Sequence, residues 1–133
     1  MTSDNSQTTI KSVATLISRG VTPAYTEEGG ILVINQKCIR NGVVDLSAAR
    51  KTDTEKKKVS SEKILQKFDV VVNSTGVGTL GRVAQIWDLP ETITADSHVT
   101  IVRPNSNLVY PLFFGYVLKS LQPTIEAMGE GST

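Results

Sequence analysis

Between Asn73 and Arg82 the chain gathers side chains suited to holding an anion or the edge of a planar base. These are Asn73, Ser74, Thr75, Thr79 and Arg82, set among Gly76, Gly78 and Gly81. Amides and hydroxyls both donate and accept hydrogen bonds, and a guanidinium offers five donors in a rigid fork. Glycine lets the backbone take positive φ or approach a partner closely. A second group of the same kind lies upstream at Gln36, Lys37, Arg40 and Asn41. Asn and Gln can pair bidentately with adenine, Lys and Arg can reach guanine edges or phosphates, and Ser and Thr can contact either. Each residue type also fills ordinary protein surfaces. The signal is their concentration in two turns, 35–42 and 73–82.

Other chemistries fit less well. Gly76-x-Gly78-x-x-Gly81 spells a dinucleotide-binding fingerprint, with Asp96 near the position of a ribose-binding acid. That fingerprint must open a helix long enough to cross back over a sheet. Here Arg82 to Leu89 is short, rich in Val, Ile and Trp, and stops at Pro90, so it reads as a return strand and the glycines as a hairpin or bulged loop. His98 is the single histidine. A triad written from Asp96, Ser97 and His98 places neighbours on opposite faces of a strand. No HExxH, paired Cys/His ligands or P-loop occurs, so the sequence supports neither a metal nor an NTP site.

The elements that must position these residues follow from hydrophobic spacing. Val70, Val71 and Val72 suit a strand buried on both faces, and Val83 to Trp87 suits its return. Thr8 to Arg19 has helical spacing, with Ile10, Val13, Ala14 and Ile17 on one face and Gly20 as its stop. Ile31–Ile34 reads as a strand, and Asn41-Gly42 as a hairpin turn returning through Val43–Leu46. Residues 47–58 read as a polar, basic loop, with one helical turn over 46–50, and Ser60–Lys67 as a short capped helix. Ile93 to Val102 reads as a strand interrupted near Asp96–His98. Tyr110-Pro111 opens a last helix with an apolar stripe of Leu112, Phe113, Tyr116, Val117 and Leu121. The expected fold is a single α+β domain: a twisted, mostly antiparallel sheet carrying an N-terminal and a C-terminal helix.

Composition bounds the rest. With 133 residues the chain is long enough for one domain with a real core, and its formal net charge of +1 indicates no partner class. The distribution is more telling: residues 37–67 carry nine Lys/Arg against four Asp/Glu, a net +5. Lys51, Lys56, Lys57 and Lys58 are candidates to contact a nucleic-acid backbone there. Cys38, the one cysteine, excludes an internal disulfide, fits a reducing compartment, and lies in an apolar-periodic run that suits a structural role. Residues 1–9 are polar and Ser/Thr-rich, which reads as a flexible start and not as a signal peptide. No apolar run approaches the roughly 20 residues needed to span a membrane.

In their order, four segments resemble the target recognition domain of the DNA specificity subunit of type I restriction-modification systems. They are Ser18–Pro23 with its Gly20-Val21-Thr22-Pro23, then Ile34–Gly42, then Asp69–Arg82, and last Asp96–Val99 followed by Arg103-Pro104. The resemblance runs from about residue 10 to 133. It implies a cytoplasmic, non-catalytic DNA-binding domain that reads one half of a split duplex target. Two such domains would be joined by spacer helices that bind methyltransferase subunits. Those partners, and a motor-nuclease subunit, would carry S-adenosylmethionine, ATP and Mg, leaving this chain without a cofactor. Residues 10–128 would form the recognition domain, and 129–133 the start of the link to the spacer. The implied DNA-contacting set is Gln36, Lys37, Arg40, Asn41, Asn73, Ser74, Thr75, Thr79, Arg82 and His98, with Gly76, Gly78 and Gly81 shaping the turn. Residues common to a family cannot distinguish its targets, so the bases of the site would be read by less patterned loops such as 47–60 or 91–95. Two other functions fit the residues: a nucleotide-binding enzyme using the Gly76–Gly81 loop, and a protein-interaction module whose basic loop meets an acidic partner.

Overall fold

The computed structural model describes residues 10–76 and 78–123. The flexible start expected over 1–9 and the link expected over 129–133 lie outside the described residues. The centre is the valine-rich strand β7 (Val70–Asn73). On one side it pairs with β10 (Val99–Pro104), which pairs with β1 (Ala14–Arg19). On the other it pairs with β8 (Val83–Gln85). All three pairings in this sheet are antiparallel. A second sheet has the order β2 (Tyr25–Thr26), β6 (Arg50–Thr52), β3 (Ile31–Ile34), β9 (Ile93–Ala95), with β3 and β9 parallel. A hairpin of β4 (Ile39–Arg40) and β5 (Val43–Val44) pairs only within itself among the named strands and packs Ile39 into the core. A short helix α1 covers residues 10–13, and α2 covers Pro111–Ser120. The chain is thus a single-domain, mostly antiparallel α+β protein with a helix towards each end.

Strand alternation explains the layers. Val71, Ala84 and Ile101 face the second sheet and join Ile34, Ile93 and Ala95 in one apolar cluster. Their neighbours Val70, Val83 and Val102 face the other way and pack on Phe114 and Leu118 of α2. The first sheet is therefore covered on both faces, which is why its central strand reads as an unbroken apolar run. The interruption at Asp96–His98 is the point where the chain leaves the second sheet at β9 and enters the first at β10. Gly20 packs against this crossing so closely that a Cβ would overlap Ala95 O and Asp96 O.

Five expectations are corrected. The helix expected over Thr8–Arg19 ends at residue 13, and Ala14–Arg19 is strand β1. Ala14, Leu16 and Ser18 alternate with the exposed Thr15, Ile17 and Arg19, a two-residue period that pairing with β10 selects over local helical spacing. The polar stretch 47–58 contains β6 between β2 and β3. Its side chains Arg50 and Lys51 are exposed, Arg50 lying over the Tyr25 ring, and only Thr52 is buried, trading hydrogen bonds with Ala24 N and O. The returning strand expected over Val43–Leu46 stops at Val44, because Asp45 caps a 3-10 turn over Leu46–Ala48. Only a 3-10 turn, Ser61–Lys63, forms where a helix was expected, and Ser60 gives it no side-chain cap. The buried stripe of α2 is Phe114, Gly115 and Leu118, while Phe113 and Tyr116 face outward. Both faces of this helix are apolar, so spacing alone does not choose between them. Gly115 chooses, because a Cβ there would collide with the Gln85 carboxamide.

The lower end of β7 is held by an ion pair. Arg103 donates to both carboxylate oxygens of Asp69, at 2.8 and 2.9 Å, and to Glu62 O and Ile64 O. Asp69 is fully buried. Removing one partner of such a pair leaves an uncompensated buried charge, which costs about 3–5 kcal/mol. Arg103→Met should lower unfolding stability by about that amount, measured by urea denaturation. A loss of under about 1 kcal/mol would show that the pair does not anchor the sheet.

Candidate nucleic-acid interface

The candidate interface starts where β7 ends. Asn73 N donates to Arg82 O and Gly81 N donates to Asn73 O, both at 2.9 Å, which closes the glycine stretch as a hairpin between β7 and β8. Within it, Leu80 N donates to Gly76 O at 3.0 Å. Gly76 has φ 109°, and a Cβ there would run into Thr79 Oγ1 and the Gln36 side chain. The chain returns directly as a strand, so the helix that a dinucleotide loop must open does not follow it. Asp96 directly follows β9, where its backbone bridges to Val21 and its carboxylate turns to His98 N.

The second turn is built by capping. Asn35 Oδ1 accepts from Lys37 N, and Asn35 Nδ2 donates to Ala48 O, fixing the 3-10 turn Gln36–Cys38. Cys38 is fully buried with its thiol pKa pushed up chiefly by that burial, which makes it an interior side chain and a poor nucleophile. At the hairpin tip Asn41 and Gly42 have φ 55° and 76°, the backbone that an Asn-Gly two-residue turn requires.

The fold joins these two turns. Asn73 Nδ2 donates to Gln36 O at 2.9 Å and to Thr79 O at 3.0 Å. Thr75 Oγ1 lies 3.5 Å from Gln36 Oε1, and Arg82 Nη1 donates to Ile39 O at 3.3 Å. His98 closes the network from the crossing between sheets. Its Nδ1 is 2.7 Å from Thr75 Oγ1, and its carbonyl accepts from Ser74 N and Ser74 Oγ. Seven expected residues (Gln36, Asn73, Ser74, Thr75, Thr79, Arg82 and His98) thus form one connected group. Lys37, Arg40 and Asn41 flank it with exposed side chains.

Their roles differ. Asn73 has no exposed surface and holds the joint instead of facing a ligand. Its Oδ1 has no hydrogen-bond partner among the described residues. His98 is exposed, and Thr75 and Arg82 are half-buried at the rim. Lys51 sits in β6, and Lys57 Nζ donates to Thr22 O at 3.2 Å. Lys51, Lys56, Lys57 and Lys58 are all exposed, and among the described residues no hydrogen bond ties them to the network. Lys119, in the last turn of α2, was not singled out by sequence. A basic residue there reads simply as a complement to the helix dipole, yet it reaches the Asn41–Gly42 turn.

No triad is assembled from Asp96, Ser97 and His98. Asp96 accepts from the backbone N of His98 at 2.9 Å, while the imidazole turns to Thr75. Burial raises the Asp96 pKa above 3.8, partly countered by that hydrogen bond. The folded state therefore keeps the proton to higher pH than the unfolded chain does. Stability from this group is fully present below the ordinary aspartate value and is lost as pH rises through the folded one. Asp96→Asn should match or exceed the native chain in thermal stability at pH 7, with the gap closing as pH falls toward 4. A variant whose deficit grows with pH would contradict this. In comparisons with known proteins, no family model matches the chain and no curated protein matches it.

Proposed function

We propose that this chain binds duplex DNA sequence-specifically, reading one half of a bipartite target as the recognition domain of a type I restriction-modification specificity subunit. The observation that carries the proposal is the joining of residues 35–42 and 73–82, far apart in sequence, into one hydrogen-bonded polar face. The exposed Lys37, Arg40, Asn41 and His98 frame that face. Rigid backbone beneath exposed amide and basic side chains is what base-edge contacts require, and the cations supply phosphate attraction. Methylation and cleavage would belong to methyltransferase and motor-nuclease partners that hold S-adenosylmethionine, ATP and Mg. The domain would work in the cytoplasm. Among the described residues no helix is long and apolar enough to cross a membrane.

A second reading, a protein-interaction module, has support on the opposite kind of surface. Leu108, Tyr110, Phe113 and Tyr116 on α2 and its approach are all about 60% exposed or more. Selection from random duplexes at two salt concentrations separates the two. Recognition predicts enrichment of a short motif and affinity that falls steeply with salt. Lys37→Ala and Arg82→Ala should weaken binding while the domain stays folded. Absence of binding at low salt would overturn the proposal in favour of the interaction module.

A further inference from the structure

Beside the polar face, an open pocket of about 470 Å3 is lined by Arg40, Asn41, Gly42, Arg82, Lys119 and Gln122, among others. Three cations from three separate elements meet there: the β4–β5 hairpin, the start of β8 and the last turn of α2. None is in an ion pair, since the ion pair among the described residues is Arg103 with Asp69. Among the described residues, Asp45 feels the charge of Arg40. Its carboxyl pKa is lowered mainly by hydrogen bonds from Ser47, and only least by the charge of Arg40. Arg82 is anchored through one donor, on Ile39 O, so the remainder of its fork is left for a ligand. The Lys119 stem lies against the hairpin turn, where a Cβ on Gly42 would sit 3.6 Å from Lys119 Cδ. Helix-dipole complementation accounts for Lys119 alone. It does not account for two arginines converging on the same space with no carboxylate among the described lining residues.

We infer that this pocket is an oxyanion site that takes a backbone phosphate of DNA. It contacts no base, and it fixes the register at which the neighbouring polar face meets the duplex. The DNA part of this inference rests on the function proposed above, whereas the oxyanion part does not. An oxyanion among two guanidiniums and an ammonium makes charge-assisted hydrogen bonds and relieves the repulsion among the three. The pocket is larger than one phosphate, which admits the flanking sugars of a continuous strand.

Two arms test it. In the first, inorganic phosphate is titrated into the 15N-labelled chain against chloride at equal ionic strength. Saturable amide shifts at Gly42, Arg82 and Val83 are expected, and they should be lost in Arg40→Ala and in Lys119→Ala. Shifts no different from those in chloride would overturn the oxyanion site. In the second arm, duplex affinity is measured across salt. Lys119→Ala should weaken all sequences alike, leave any selected motif unchanged, and make the slope of log K against log salt shallower by about 0.9. Phosphate binding with an unchanged DNA slope would mean a free-anion site and overturn the DNA assignment. If the native chain binds no duplex, the proposed function and the DNA assignment fall together, while the phosphate titration still decides the oxyanion site.

Discussion

Asn73 sits where the buried centre of the domain becomes its polar face, and the geometry of that face depends on it. The valines before it are locked between the second sheet and α2. Its own backbone closes the hairpin through Arg82 O and Gly81 N. Its carboxamide then supplies two donors to two backbone carbonyls, Gln36 O and Thr79 O, in separate turns. A carboxylate at this position would have no donors, and an aliphatic side chain would leave both carbonyls unsatisfied. Asn73 Oδ1 is buried and has no hydrogen-bond partner among the described residues.

The other supports act on the same strand. The pair of Asp69 with Arg103 fixes the entry to β7 and ties down the 3-10 turn at Ser61–Lys63. The chain enters through Phe68, held at φ 75°, with its ring edge-on to Trp87. At the far end, the Asp96–His98 crossing delivers the His98 ring to Thr75. Basic side chains thus project from a scaffold whose polar interior is paired almost throughout. Fixing the backbone before a ligand arrives lowers the entropic cost of any binding there.

Much of this fold was legible because local and long-range preferences agree. The valine run, its return through Val83–Gln85, the Asn41-Gly42 turn and the Pro111 helix start each carry a residue with few alternatives. Elsewhere the preferences conflict. Ile10, Val13, Ala14 and Ile17 satisfy a helix, but Ala14–Arg19 is claimed by pairing with β10. Arg50 and Lys51 hide β6, since only Thr52 of that strand is buried. In α2 the decisive residue is Gly115, absent from the apolar stripe read from spacing, since a Cβ there would collide with Gln85. The site shows the same division. Spacing identified the two turns but not their contact, so Asn73 reads as a base-contacting amide when it is the buried joint between them. Lys119 escaped notice because its convergence with Arg40 and Arg82 exists only in three dimensions.

Amide chemical-shift mapping on a bound duplex tests the central claim most directly. If the joined turns are the recognition face, the largest shifts fall on Gln36–Asn41, Ser74–Arg82 and His98, with little change along the outer side of α2. Shifts confined to Leu108–Tyr116, with the joined turns silent, would contradict it.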